Sequence, residues 1–196
     1  VGDKALLGMP RETTIPGVGT VEGGPFAPAR VAAQRYKRAT GLGTYEVRTY
    51  VRANPALGRR IADAYQSMKH DPLNPQVKAA YEALAKETLA QYQTIKATGL
   101  KVEFIAPGQD PYAASPRMAI EDVKNNNHLW VFPTDAGFGM DPDAEYLQNN
   151  PLLAETDEYV GTRRLVVNDV FRIVHDYFGH IQEGNAFRHD GEENAW

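Results

Sequence analysis

Apolar and polar positions run along this chain with two periods, and each change of period marks an element. The plainest pattern is Val77, Tyr81, Leu84, Thr88, Tyr92 and Ile95, spaced by three or four. That spacing lays six side chains on one helical face. Asn74-Pro75 opens this helix with a cap and a proline at its first position, and Gly99 ends it. Asn54-Pro55 repeats the start signal and predicts a helix to about Met68. A helix from Pro28 to Thr40 stops at Gly41, and Ser115-Pro116 opens one to about Asn125. A further stripe, Val166, Val170, Ile173, Tyr177 and Ile181, predicts a helix over Leu165 to His180, and Glu192 begins another. The β-type stretches are YEVRTYV (45–51), KVEFI (101–105) and HLWVF (128–132). Residues 133–160 are broken by Pro133, Gly137, Gly139, Pro142 and Pro151 and are expected to be loop-rich. Residues 1–29, dense in Gly and Pro, read as an extended N-terminal arm. The expected fold is therefore a helix-rich α+β single domain, residues 30–196, with a small β-sheet behind that arm.

Composition narrows the function classes. At 196 residues the chain can bury a core, and 42% hydrophobic with 23% charged residues is ordinary for a globular domain. A net charge of −4 gives no general attraction to nucleic acid or to anionic membrane. The basic groups Arg30, Arg35, Lys37, Arg38 and Arg59, Arg60 read as solvated helix faces. The absence of cysteine removes disulfides, thiolate zinc sites and a cysteine nucleophile. No apolar run approaches the ~18 residues of a membrane span. The glycines at 17–24 follow no strand in phosphate-loop spacing, so no nucleotide cofactor is expected. Neither Ser67 nor Ser115 sits in a nucleophile-elbow context. The start lacks a Met and the last residues read as the opening of a helix, so both ends are expected to be cut.

The candidate chemistry gathers in residues 165–196. Three of the five histidines (His175, His180, His189) lie there, with Asp169, Asp176, Glu183, Asp190, Glu192 and Glu193. Nitrogen and oxygen donors in this density suit Fe(II) or Zn(II). At about 100° per residue, Asp169, Asp176 and His180, seven and four apart, share the edge of the buried stripe. His175 projects about 140° from His180 on an ideal helix, and Gly179 is a place where the helix can loosen and bring the two imidazoles together. Fe(II) or Zn(II) would be held by His175, His180 and a carboxylate from Asp176, Glu192 or Glu193, with Asp169, Asp176 or Glu193 left as acid–base groups. The GEENAW segment is expected to fold back on the 165–181 helix, burying Trp196 and bringing a glutamate to the histidines.

The string HDYFGH resembles the H-[DE]-x-x-G-H motif of the aromatic amino acid hydroxylases. In that family both histidines bind a non-haem iron, so the resemblance implies iron on His175 and His180. The family's third ligand, a glutamate, lies much farther downstream than Glu192 or Glu193. Longer runs, MKHDP, DPYAASPRMAIEDVKNNNHLWVFPT and VNDVFRIVHDYFGHIQEGNAFRHDGEENAW, are similar to uncharacterised proteins of tailed phages, prophages and marine viral metagenomes. That resemblance implies a viral or mobile-element origin, with a place in the host cytoplasm or the virion. It implies a chain continuing past Trp196 and assigns no activity.

Plainer roles exist for the same residues. Asp169 and Asp176 can pair with Arg172, and Glu192 and Glu193 suit the first turn of a helix by charge alone. His189 and Asp190 can cap that helix. Asn125, Asn126 and Asn127 can form a C-cap and turn, while His128 either stays there or reaches the pocket. A non-enzymatic virion component or host-interaction protein with a structural His/Asp network is the alternative function. Partners are open, a homo-oligomer among them.

Overall fold

The computed structural model describes residues 13–15, 19–21, 26–43, 50–69, 71–115, 117–136 and 149–196. The first three helices begin where the start signals stand. The helices α1 (Ala27–Ala39), α2 (Pro55–Ser67) and α3 (Pro75–Lys96) each carry proline in the first turn. The Asn54 side chain accepts from the N–H groups of Ala56 and Leu57, and that of Asn74 from Gln76 and Val77. Gly41 and Gly99, at φ 73° and 75°, take the left-handed conformation that ends a helix. Residues 45–49 of the expected 45–51 strand and most of the N-terminal arm fall outside the described residues, and residues 50 and 51 are not in a strand. Within the arm, β1 (Thr13–Ile15) and β2 (Gly19–Val21) pair antiparallel.

Among the described residues the sheet structure is three separate two-stranded ladders. Strand β3 (Lys101–Phe104) runs parallel to β4 (His128–Val131), and α4 (Arg117–Asn126) lies in the crossover between them. Leu129 and Val131 point into the core and alternate with half-buried His128 and Trp130. Asn127, at φ 50°, makes the turn into β4, as a C-cap asparagine should.

Two expectations are corrected between residues 133 and 166. Residues 155–160 are not loop but strand β5 (Glu155–Val160), paired antiparallel with β6 (Arg163–Val166). Gly161, at φ 59°, opens the two-residue turn between them. The helix expected from Leu165 accordingly starts at Val167, and the half-buried Val166 belongs to the strand rather than to the helical stripe.

From Val167 the chain forms α5 (Val167–Val174), runs without a break into a π-helical segment (His175–Ile181), and ends in α6 (His189–Ala195). Val170, Ile173, Tyr177 and Ile181 are buried with Leu165, Ile95, Tyr92, Ala29, Leu129 and Val123 in one core. Helix α3 packs across α5, α1 across α3 and the π segment, and α6 across the π segment. The apolar stripe of α3 is buried only in its second half, at Thr88, Tyr92 and Ile95, while Leu84 is exposed. No helix among the described residues is long and apolar enough to cross a membrane.

Candidate metal centre

The site is built by the change of helix type at His175. An α-helix sets residues five apart on different faces, about 140° from one another. A π-helix bonds each residue to the fifth before it, so residues five apart become neighbours. The Gln182 N–H bonds the Tyr177 carbonyl at 3.0 Å in this register. His175 and His180 are therefore brought together, with their Nε2 atoms 3.0 Å apart and their rings edge to face.

Glu192 closes the group. Its Oε2 lies 3.2 Å from His175 Nε2 and 3.4 Å from His180 Nε2. Two glycines bring it there. A Cβ on Gly191 would stand 1.7 Å from the Ala186 carbonyl oxygen, so α6 and the Ala186 backbone touch directly. Gly179 does the same for the π segment, where a Cβ would meet Ala195 at 3.0 Å. The outer side of α6 is tied to residues 51–53. Asp190 accepts from the Ala53 N–H and pairs with Arg52, and the Asn194 amide bonds both the N–H and the carbonyl of Val51. The expected capping role of Asp190 is thus replaced by a tertiary one.

The imidazoles are held unequally. His180 is 1% exposed, bonds the Asn185 carbonyl through Nδ1 at 3.1 Å, and stacks on Phe187 with centroids 3.9 Å apart. A carbonyl only accepts, so Nδ1 carries the proton and Nε2 presents its lone pair to the centre. Burial lowers the His180 basicity, against the opposing pull of Glu192 and the Asn185 carbonyl. His175 is half-buried and stacks on Phe171. Burial, then the charge of Glu192, raises the Asp176 carboxyl to about 7, with Arg172 acting in the opposite sense.

His175, His180 and Glu192 form a group that can hold a metal ion. The other candidates stand elsewhere. Glu193 is exposed, about one helical step of 100° round from Glu192. Asp169, fully buried, accepts from the N–H groups of Thr134 and Val166 and so caps α5. Its charged neighbour is Arg163 at 3.7 Å, in place of the Arg172 pairing that was the plainer alternative. Trp196 is 100% exposed, contrary to its expected burial. Helix α6 does fold back, but its inner face is Gly191 and Ala195, and the next residue turns away.

His128 belongs to a separate network. Its Nδ1 meets Asp122 at 2.7 Å and its Nε2 meets Glu103 at 2.9 Å. Tyr112 donates to Asp122 at 2.6 Å and accepts from the Trp130 N–H. Burial and the Asp122 bond push the Tyr112 hydroxyl well above its ordinary value. Arg30, expected on a solvated face, is buried and pairs with Glu183 beside the π segment. The sequence reading missed Asn185 and Phe187, and nothing but their nearness to His180 in the chain signals them. No protein-family model matches the chain, nor does any curated protein or solved structure.

Proposed function

We propose that this protein is a metal-dependent enzyme whose centre is His175, His180 and Glu192. The observation that carries the reading is the mutual spacing of three donor atoms at 3.0, 3.2 and 3.4 Å. Donors about 2.1 Å from one ion stand about 3.0 Å apart at right angles and about 3.4 Å at tetrahedral ones. Two imidazoles and a carboxylate leave positions open for substrate, as catalytic rather than structural sites do.

With Fe(II) the open positions would serve dioxygen and a co-substrate, and with Zn(II) a water made acidic enough for hydrolysis. The chain's own contribution is placement. The π segment and α6 hold three donors from two elements, and Asn185 and Phe187 fix the His180 ring. Asp176, next to His175 and close enough to Glu192 to feel its charge, is the acid–base candidate. Asp169 is not, because both its oxygens cap backbone N–H groups.

Elemental analysis of the purified protein, followed by Fe(II) and Zn(II) titration, tests the reading. One equivalent of metal is expected in the wild type, with binding weakened at least tenfold in Glu192→Gln and His180→Ala. Oxygen uptake by the iron form or ester hydrolysis by the zinc form then separates the two chemistries. Absence of metal, and of binding, would leave the three side chains as a structural polar network.

A further inference from the structure

We infer that Asn185 is the positioning residue of this centre: by folding back onto the last π turn it holds His180 with Nδ1 protonated and Nε2 open toward the metal. The inference rests on the metal-centre reading above but concerns a residue outside the ligand set.

Asn185 makes three bonds to the segment that carries the ligands. Its N–H donates to the His180 carbonyl at 3.0 Å. Its carbonyl accepts from His180 Nδ1 at 3.1 Å. Its side-chain amide donates to the Gly179 carbonyl at 2.8 Å. The left-handed Gly184, at φ 72°, turns the chain so that all three can form at once. The third bond is what demands asparagine. Carbonyls in the last turn of a helix have no partner farther along it, and this one is buried. Alanine offers no donor, and an aspartate would set a carboxylate against the carbonyl oxygen. The backbone bond to Nδ1 survives any substitution only if the loop keeps its place, and the amide is what pins the loop. Phe187, two residues on, covers one face of the ring. An outer partner of this kind sets ligand tautomer and orientation, and its loss typically weakens metal binding ten- to a hundredfold.

The tautomer can be read without any metal. In ¹⁵N-histidine-labelled, metal-free protein, long-range NMR correlations are expected to show His180 as a single Nδ1–H tautomer. Asn185→Ala and the isosteric Asn185→Asp are expected to give a mixture of tautomers and a ten- to hundredfold weaker Zn(II) affinity, measured against a chelating dye. Ile105→Ala, which removes a buried side chain just past β3 and outside the core cluster, serves as the stability control and should change neither. If Asn185→Ala fails to fold, Asn185→Asp is read alone. An Nε2–H tautomer in the wild type overturns the inference, as do an unchanged tautomer and affinity in the variants. A wild type that binds neither Zn(II) nor Fe(II) overturns the metal reading instead, and the tautomer measurement then decides the role of Asn185 by itself.

Discussion

Asp122 receives hydrogen bonds from Tyr112, His128 and Asn126 at once, none of them visible in the local sequence pattern. Burial alone would raise its carboxyl, but these three bonds outweigh it and hold the group below the ordinary carboxylate range. A depressed folded value means that the stabilisation is present above the unfolded value and is lost as pH falls through the folded one. Asp122→Asn is therefore expected to cost about 1–3 kcal/mol near neutrality. It should also flatten the acid limb of a plot of melting temperature against pH, most of the difference vanishing below about pH 4. Gly179 is a second case. Its missing Cβ lets Ala195 approach, so Gly179→Val should push α6 outward and carry Glu192 away from the histidines. Zn(II) affinity should fall at least tenfold in a dye competition, with a loss of about 1–3 kcal/mol in stability from overpacking.

At the scale of elements, burial divides the helices into two kinds. Helix α5 and the π segment put Val170, Ile173, Tyr177 and Ile181 in the core. Val170→Asp would place an unpaired charge there and should cost several kcal/mol, read as a collapse of the cooperative thermal transition. Helix α2 buries none of its residues, although Leu57, Ile61, Tyr65 and Met68 follow helical spacing. Ile61, 60% exposed, can be changed to Ser with an expected effect within about 0.5 kcal/mol on denaturant unfolding. The contrast shows why an apolar stripe alone is an incomplete guide: spacing makes a helix amphipathic, and packing decides whether the face is used.

Across the whole molecule, the centre lies where the core helix meets the last helix. His175 and His180 stand on a segment whose neighbours are buried on several sides, whereas Glu192 arrives on a short helix. Metal binding should then join the two regions and stabilise the folded state. At a free metal concentration a hundred times the dissociation constant, the gain is about 2.7 kcal/mol. For a chain of this size that corresponds to a rise of several degrees in melting temperature. Calorimetry with and without Zn(II) or Fe(II) measures it, and Glu192→Gln should remove most of the rise.

How much of this was legible in the residues follows from the range of the forces involved. Helix starts at Asn54-Pro55 and Asn74-Pro75, the stops at Gly41 and Gly99, and the core face of α5 are set by contacts within four residues, so local patterns reveal them. The approach of His175 to His180 was only suggested by HDYFGH, which sets two imidazoles five apart beside a glycine, because an ideal α-helix would hold them about 140° from one another. The β5–β6 hairpin was hidden because Glu155, Asp157 and Glu158 mask the alternation, and pairing across Gly161-Thr162 supplies what the local pattern lacks. The register at His175 was decided by tertiary structure. An α-turn and a π-turn differ by one residue per hydrogen bond, and the balance rests on Asn185, Gly179 and the close docking of α6. The choice of Glu192 over Glu193, and the exposure of Trp196, follow from the same docking. Residues one step apart on a helix point about 100° away from each other, and only the packed neighbour determines which of them faces in.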